Sequence, residues 1–360
     1  MRDESFGPAG MIEEWSNQPK ANHSADDGPS ISVIIPCKPS DGLPPVIESA
    51  SKLDYPSDLF EILLIKGTNP SLQRNLGASL AKGDILAFTD DNCQLPPDWL
   101  RLAAKHFRDA RVSIVGGPNL TPPSDPRLSR IFGLACASKL GTGPMHRRYR
   151  RTRLLPQADE SALALSNLFI RRKLFDSGLS FSPLLFPNEE NQFMNGASRQ
   201  GHRMVYDPDI VVYHPRKRSW RAFSRQFARY GAGRARQTRM DLGSLRPFHL
   251  LPGALVLASM FLLVGVLLFR RLLPWVLLLA AAYIVPIVAE SVRISLREGD
   301  PKAAWLLIPS FLLIHYSYGF GFVMGLICPL GKIRGAAPTR DDVSRLEPSG
   351  YTWPAGQRIS

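Results

Sequence analysis

Short apolar runs alternate with amphipathic stretches over the first two thirds of the chain, and long apolar runs fill much of the last third. Residues 31–36 (Ile-Ser-Val-Ile-Ile-Pro) predict a buried strand stopped by Pro36, and 60–65 a second strand broken by Gly67. A helix is expected over 43–53, and another over 70–81 with Pro70 near its start and Ser71 as a cap. Residues 85–89 and 112–116 read as further strands, separated by an amphipathic helix at 98–107. Strand–helix alternation of this kind predicts an α/β domain whose parallel sheet carries helices on both faces. Beyond it, 118–160 reads as irregular, 163–175 as a strand feeding a short helix, 204–206 and 210–214 as short strands, and 219–236 as a helix.

The long runs change the picture. Residues 248–269, 272–289 (ending at Glu290) and 303–327 (interrupted by His315) are each near the roughly 20 residues that span a bilayer. The expected organisation is a loose polar tail at 1–29, a soluble domain at 30–240, a membrane region at 246–330 with about three helices, and a polar tail at 331–360. The first 30 residues hold no apolar stretch, so no signal peptide is expected there. Gly321 and Gly325 in the third run are spaced for close helix packing. His315 and Tyr316 beside them call for a packed or wet interior.

Net charge is +13, and residues 216–239 hold nine Arg or Lys and no acid, just before the first long run. Positive flanks stay cytoplasmic and attract anionic lipid. The expected partner is therefore membrane lipid, not nucleic acid, and the expected location is the inner or plasma membrane with the domain on its cytoplasmic side. Arg270 and Arg271, between the first two runs, sit badly with three full crossings. The four cysteines have no metal-ligand spacing and read as packing residues.

Candidate chemistry begins at Thr89-Asp90-Asp91-Asn92, where an apolar strand ends abruptly in two acids and an amide. Ligands of open α/β sheets bind at the carboxyl ends of strands. Two close carboxylates favour a divalent cation under an anionic ligand; an acidic turn is the plainer alternative. The basic cluster Arg147, Arg148, Arg150, Arg151 and Arg153 reads as a solvated loop or a lid that neutralises phosphates.

In order along the chain, these pieces resemble the family 2 glycosyltransferases, whose GT-A nucleotide-sugar-binding fold is a mixed, mainly parallel sheet flanked by helices. The resemblance runs from Ser32 to about Arg236. It rests on Ser32–Pro36 as the first strand, Gln73–Ala78 with Gly83-Asp84 before the acidic strand end, and Trp99-Leu100 after it. Asn188-Glu189-Glu190-Asn191 stands where the family carries Gly-Glu-Asp, and Gln226-Phe227-Ala228-Arg229-Tyr230 resembles the Gln-x-x-Arg-Trp element of membrane polysaccharide synthases. The resemblance implies a divalent cation (Mg2+ or Mn2+) on Asp90 and Asn92, with Asp91 an extra candidate. It implies donor contacts from Pro36, Arg74, Asn75, Asp91, Gln226, Arg229 and Tyr230. Glu190 becomes the general base, with Glu189 in reserve, and one base opposite the leaving group implies inversion. The expected substrates are a nucleotide-diphosphate sugar donor and a lipid-linked or polysaccharide acceptor in cell-surface glycan synthesis. The alternative is a catalytically weakened scaffold subunit, because Asn92 replaces an Asp and Lys66-Gly67 replaces the acids that usually end the second strand. Tyr230, Trp220 and Trp99 are the aromatic faces on offer to a sugar ring, and His214 a further contact.

Overall fold

A computed structural model describes residues 28–39, 42–328 and 336–346. The expected N-terminal tail falls almost wholly outside them. In chain order the first elements are β1 (Ile31–Cys37), α1 (Val46–Ala50), β2 (Phe60–Lys66), α2 (Pro70–Leu80), β3 (Ile85–Phe88), α3 (Trp99–His106), β4 (Val112–Gly116) and β5 (Asn119–Leu120). Then come α4 (Arg127–Cys136), α5 (Lys139–Thr142), β6 (Leu168–Arg171), α6 (Lys173–Asp176), α7 (Glu189–Arg199), β7 (Arg203–Tyr206) and β8 (Val212–Tyr213). The chain continues through α8 (Trp220–Met240), α9 (Pro247–Leu268), α10 (Leu273–Arg297), α11 (Ala303–Ile327) and β9 (Val343–Leu346).

Seven strands form one sheet in the order β7-β4-β6-β3-β1-β2-β9, and β5 pairs with β8 beside it. β1 runs parallel to β2 and β3, and β4 parallel to β7, while β6 and β9 are antiparallel to their neighbours. The sheet is therefore mixed and GT-A-like, as expected. Alternation along β1 sends Ile31, Val33 and Ile35 into one apolar core with α1 and α3, and Ile34 into a second with α2 and α7.

Several local expectations are corrected. β1 runs through Pro36 to Cys37. The Ile34 carbonyl accepts from Thr89 on the β3 side, so the missing Pro36 N–H points the same way, past the end of β3. The cap of α2 is Asn69, whose side chain accepts from the Ser71 and Leu72 amides, and not Ser71 itself. The stretch 118–160 is not irregular throughout: it contains α4, which buries Ile131, Phe132 and Ala135, then α5 and a 3-10 run at 143–149. Phe132 stacks on Phe223 of α8 at 4.0 Å between centroids.

The last helices include three long and apolar enough to cross a membrane. α9 and α10 are almost bare, with 11% and 6% of their most apolar windows buried, whereas α11 is 44% buried. α11 lies along α8, and glycines set the separation. A Cβ at Gly231 would stand 2.0 Å from the Tyr318 carbonyl oxygen, and one at Gly321 2.0 Å from that of Ala228. Past α11, part of the expected polar tail returns as β9 to the free edge of β2. There Arg345 donates to the Leu80 carbonyl at 2.9 Å and pairs with the buried Glu61 carboxylate at 3.1 Å.

Candidate active site

The carboxyl ends of β1, β2 and β3 share one rim. The Gln73 amide caps two of them, donating to the Cys37 carbonyl at 2.8 Å and the Ile65 carbonyl at 2.5 Å. β3 breaks there into a tight turn, closed by Cys93 N–H to the Asp90 carbonyl at 3.2 Å. The Asp91 carbonyl accepts from Val46 at the start of α1. The turn leaves Asp90 and Asp91 half-buried and Asn92 exposed. Burial, and secondarily the charge of Asp90, hold the Asp91 carboxyl above its ordinary range, while Lys38 and Arg74 pull it down.

Arg74 joins this rim to the second acidic pair. It projects from α2, is 5% exposed, donates to Asp90 at 2.7 Å and donates to Glu189 at 3.0 Å. Glu189 and Glu190 occupy the first turn of α7, where the helix dipole favours carboxylates. Glu189 is 1% exposed, and burial, then the charge of Glu190, push its carboxyl up to about 7 against the pull of Arg74. Its Oε2 has no hydrogen-bond partner. Glu190 is less enclosed and accepts from Arg148 at 3.4 Å. Arg148 also donates to Asn191 at 2.7 Å and to the Glu160 carbonyl. Asn188 bonds to Gln237, which accepts from Arg234 at 2.8 Å, and this locks α7 to α8.

The 226–230 element arrives on α8. Gln226 donates to the Tyr230 hydroxyl at 2.8 Å, and Tyr230 lies within the field of Glu190. Arg229 is exposed and stacks 5.2 Å over the Phe186 ring, just before the segment that leads into α7. His214 feels the charge of Asp90, and burial holds its imidazole well below the ordinary range.

The structure thus brings together Asp90, Asp91, Arg74, Glu189 and Glu190, with Tyr230 and its partner Gln226 near Glu190, while Arg229 is placed on the Phe186 ring. Other expected contacts lie in the scaffold. Asn75 spends both ends of its amide on the Phe181 backbone, at 2.8 and 2.9 Å. Pro36 stays inside the β1–β2 ladder. Trp99 is fully buried and donates to Asn167, and Trp220 packs edge-on against Phe132. Arg148 is the site residue that sequence reasoning did not single out: it was visible only as one member of a basic cluster.

Asp90, Asp91 and Asn92 offer hard oxygen donors and no thiol or imidazole, which suits Mg2+ or Mn2+. Among the described residues no group of three or more His, Cys, Asp or Glu forms a metal cage. An ion here would take part of its coordination from outside the protein, as Mg2+ does on phosphates.

Residues 85–324, more than half of the chain, match the family model described as "Glycosyl transferase family group 2". The chain belongs to that family and is a family 2 glycosyltransferase. It is 21% identical over 248 residues to the glycosyltransferase AglE of Haloferax volcanii, covering 61% of this chain and 77% of that protein. It superposes on a mannosyltransferase from Pyrobaculum calidifontis, solved with GDP-Man and Mn2+, at a TM-score of 0.50 and 16% identity. That match covers 88% of this chain and 91% of the other, and it shows a shared fold. S. aureus TarS 1-349 with UDP-GlcNAc matches more loosely, at a TM-score of 0.41 and 14% identity over 82% of this chain and 91% of that one.

Proposed function

We propose that this protein transfers a glycosyl group from a nucleoside-diphosphate sugar to a hydroxyl of an acceptor held at the cytoplasmic face of a membrane, with inversion, in cell-surface glycan assembly. The observation that supports the reading is the Asp90–Arg74–Glu189 bridge, which holds the acidic end of β3 beside the carboxylate pair of α7.

Asp90 and Asn92, with Asp91 next to them, are the residues for a divalent cation. When bound, that cation supplies neutralising charge to the leaving diphosphate. Arg229 and Gln226 supply further charge and hydrogen bonds to the same phosphates. Glu190 takes the proton of the acceptor hydroxyl as its oxygen attacks the anomeric carbon. The bond from that carbon to the diphosphate breaks, and the electron pair leaves on the nucleoside diphosphate. Arg148 positions Glu190, and Glu189 holds Arg74 in place. Tyr230 offers an aromatic face to a sugar.

Membrane placement follows from parity. α8 precedes the apolar helices and β9 follows them, yet both belong to the soluble domain. An even number of crossings satisfies this. α8 carries Arg221, Arg225, Arg229, Arg236 and Arg239 outside the core and no acid, so it belongs at a headgroup surface, and α11, packed along it, sits there too. α9 and α10 then cross as a hairpin, with Arg270 and Arg271 on the far side.

The test is nucleoside-diphosphate release by the detergent-purified chain, with a panel of sugar nucleotides, Mg2+ or Mn2+, and extracted membrane lipid as acceptor. Release is expected with one donor class, and Asp90→Ala is expected to abolish it while remaining folded. No release from any donor, together with no metal-dependent nucleoside-diphosphate binding by calorimetry, would leave only a scaffold role.

A further inference from the structure

A cavity of about 940 Å3 opens between the α5 and 3-10 segment of the catalytic domain and one stripe of α10. Its lining includes Lys139, Arg147, Arg150, Arg151, Arg153 and Arg293. Glu290 is the one carboxylate in that lining, and it is already held by Arg293 at 2.6 and 2.7 Å and by Ser138 at 2.6 Å. Arg151 leans on Asp209 at 3.3 Å. Lys139, Arg147, Arg150 and Arg153 have no ion-pair partner among the described residues. His146 also lines the space, and burial holds its imidazole below the ordinary range.

Two features say what so many unpaired cations face. The α10 wall is Pro286, Glu290 and Arg293, where that helix passes from bare apolar side chains to charged ones, the level of lipid headgroups. The same 3-10 run faces two ways. Arg148 turns inward to Glu190, while its neighbour Arg147 turns to the cavity. The segment is fastened to the apolar helices by Ser138 on Glu290 and by His315, whose ring nitrogen lies 2.8 Å from the Leu140 carbonyl. An anion seated here is thus held by Arg147, one residue along the chain from the arginine that bonds Glu190, and beside the apolar helices.

We propose that this cavity binds the phosphate head of a lipid-linked acceptor, with the lipid tail lying along α10. The proposal rests on the glycosyl-transfer reading for the word acceptor. It goes beyond that reading in choosing a phosphate-bearing lipid over a neutral lipid or a free polysaccharide.

The experiment measures binding by the full-length protein, reconstituted in phosphatidylcholine nanodiscs, of farnesyl phosphate, farnesol, inorganic phosphate and phosphatidylglycerol. Farnesyl phosphate is expected to bind at least about tenfold more tightly than each of the others, since charge-assisted contacts to phosphate and a tail contact are both required. The triple variant Arg147→Gln/Arg150→Gln/Arg153→Gln is expected to lose about tenfold or more of that affinity. The surface variant Arg101→Gln/Lys105→Gln/Arg108→Gln, which removes the same charge elsewhere, is expected to lose none. Farnesol binding as well as farnesyl phosphate overturns the proposal. So does inorganic phosphate alone binding as well, which marks a free-anion site, or phosphatidylglycerol binding as well, which marks a bulk-lipid site. These comparisons need no variant, so they hold even where the triple variant fails to fold. Donor turnover is read separately. Turnover with charge-indifferent lipid binding sinks only this inference. Arginine-dependent lipid binding with no turnover of any donor sinks only the transfer reading.

Discussion

Replacing Arg74 with Met keeps the volume of a buried side chain and removes the cation shared by Asp90 and Glu189. Glu189 cannot turn to water, because its side chain is 2% exposed, so it escapes by taking a proton. In the wild type that proton is held up to about pH 7, against an ordinary value of 4.5. The folded protein therefore binds a proton that the unfolded chain has lost, and this group costs stability increasingly from pH 4.5 to 7. Above pH 7 the wild-type cost levels off. Without Arg74 the carboxyl pKa rises further, and the cost keeps growing at about 1.4 kcal/mol per pH unit. By pH 8.5 the variant is worse off by about 2 kcal/mol from this source alone, while below pH 6 the same source contributes nothing. Thermal unfolding in detergent, followed by tryptophan fluorescence, reads this as a Tm gap that widens by roughly 4–8 °C between pH 6 and 8.5 for a domain of this size. The double variant Arg74→Met/Glu189→Gln is expected to close the extra gap, since it removes the buried acid. Histidine titration is common to both proteins and cancels in the difference. A pH-independent gap, or a double variant no better at pH 8.5 than the single, would refute the assignment of Arg74 as counter-charge to Glu189.

Glu190→Gln is expected to lower transfer by about 10²–10⁴-fold, the usual worth of a general base, with donor affinity unchanged in calorimetry; a drop of less than threefold would hand the role to Glu189. Parity of crossings predicts that Arg271→Cys reacts with a membrane-impermeant maleimide on intact cells, whereas the exposed Cys328 reacts only after permeabilisation. Cys37, Cys93 and Cys136 are buried and stay silent, and equal labelling of positions 271 and 328 on intact cells rules the hairpin out. Gly321→Leu is expected to cost roughly 1–3 kcal/mol or more by forcing α11 off α8, seen as a lower Tm; an unchanged Tm would mean that the helices do not pack as described.

The strands and the acidic rim were legible because their signals are local. An apolar run that ends in two acids can be read from residues 85–92 alone, and β1, β2 and β4 each carry an apolar run of their own. α4 was not legible because prolines flank it at 118, 122, 123 and 126 and Gly133 interrupts it. What makes it a helix is a face that stacks on Phe223 of α8, nearly a hundred residues away, and no local pattern reports that contact. β9 was missed for a similar reason: Val343–Leu346 is short and half polar, and only the open edge of β2 and the buried Glu61 give it a place.

The basic run at 147–153 shows where sequence reasoning divides. Composition says that these residues meet negative charge, and it says so equally of all five. The fold separates them: Arg147 and Arg148 sit in a 3-10 run, whose turn of about three residues sends neighbours to different sides, and Arg150, Arg151 and Arg153 follow that run outside any helix or strand. Arg148 is withdrawn into the domain, where it meets Glu190, Asn191 and two carbonyls, while Arg147, Arg150 and Arg153 remain on the cavity wall. A phosphate drawn by the outer residues and a carboxylate steadied by the inner one are thus tied to the same short backbone segment. Just before that segment, α5 is fastened to α10 by Ser138, its cap, and to α11 by His315 at the Leu140 carbonyl. Adjacent residues of one segment therefore face the cavity and Glu190, Arg147 outward and Arg148 inward.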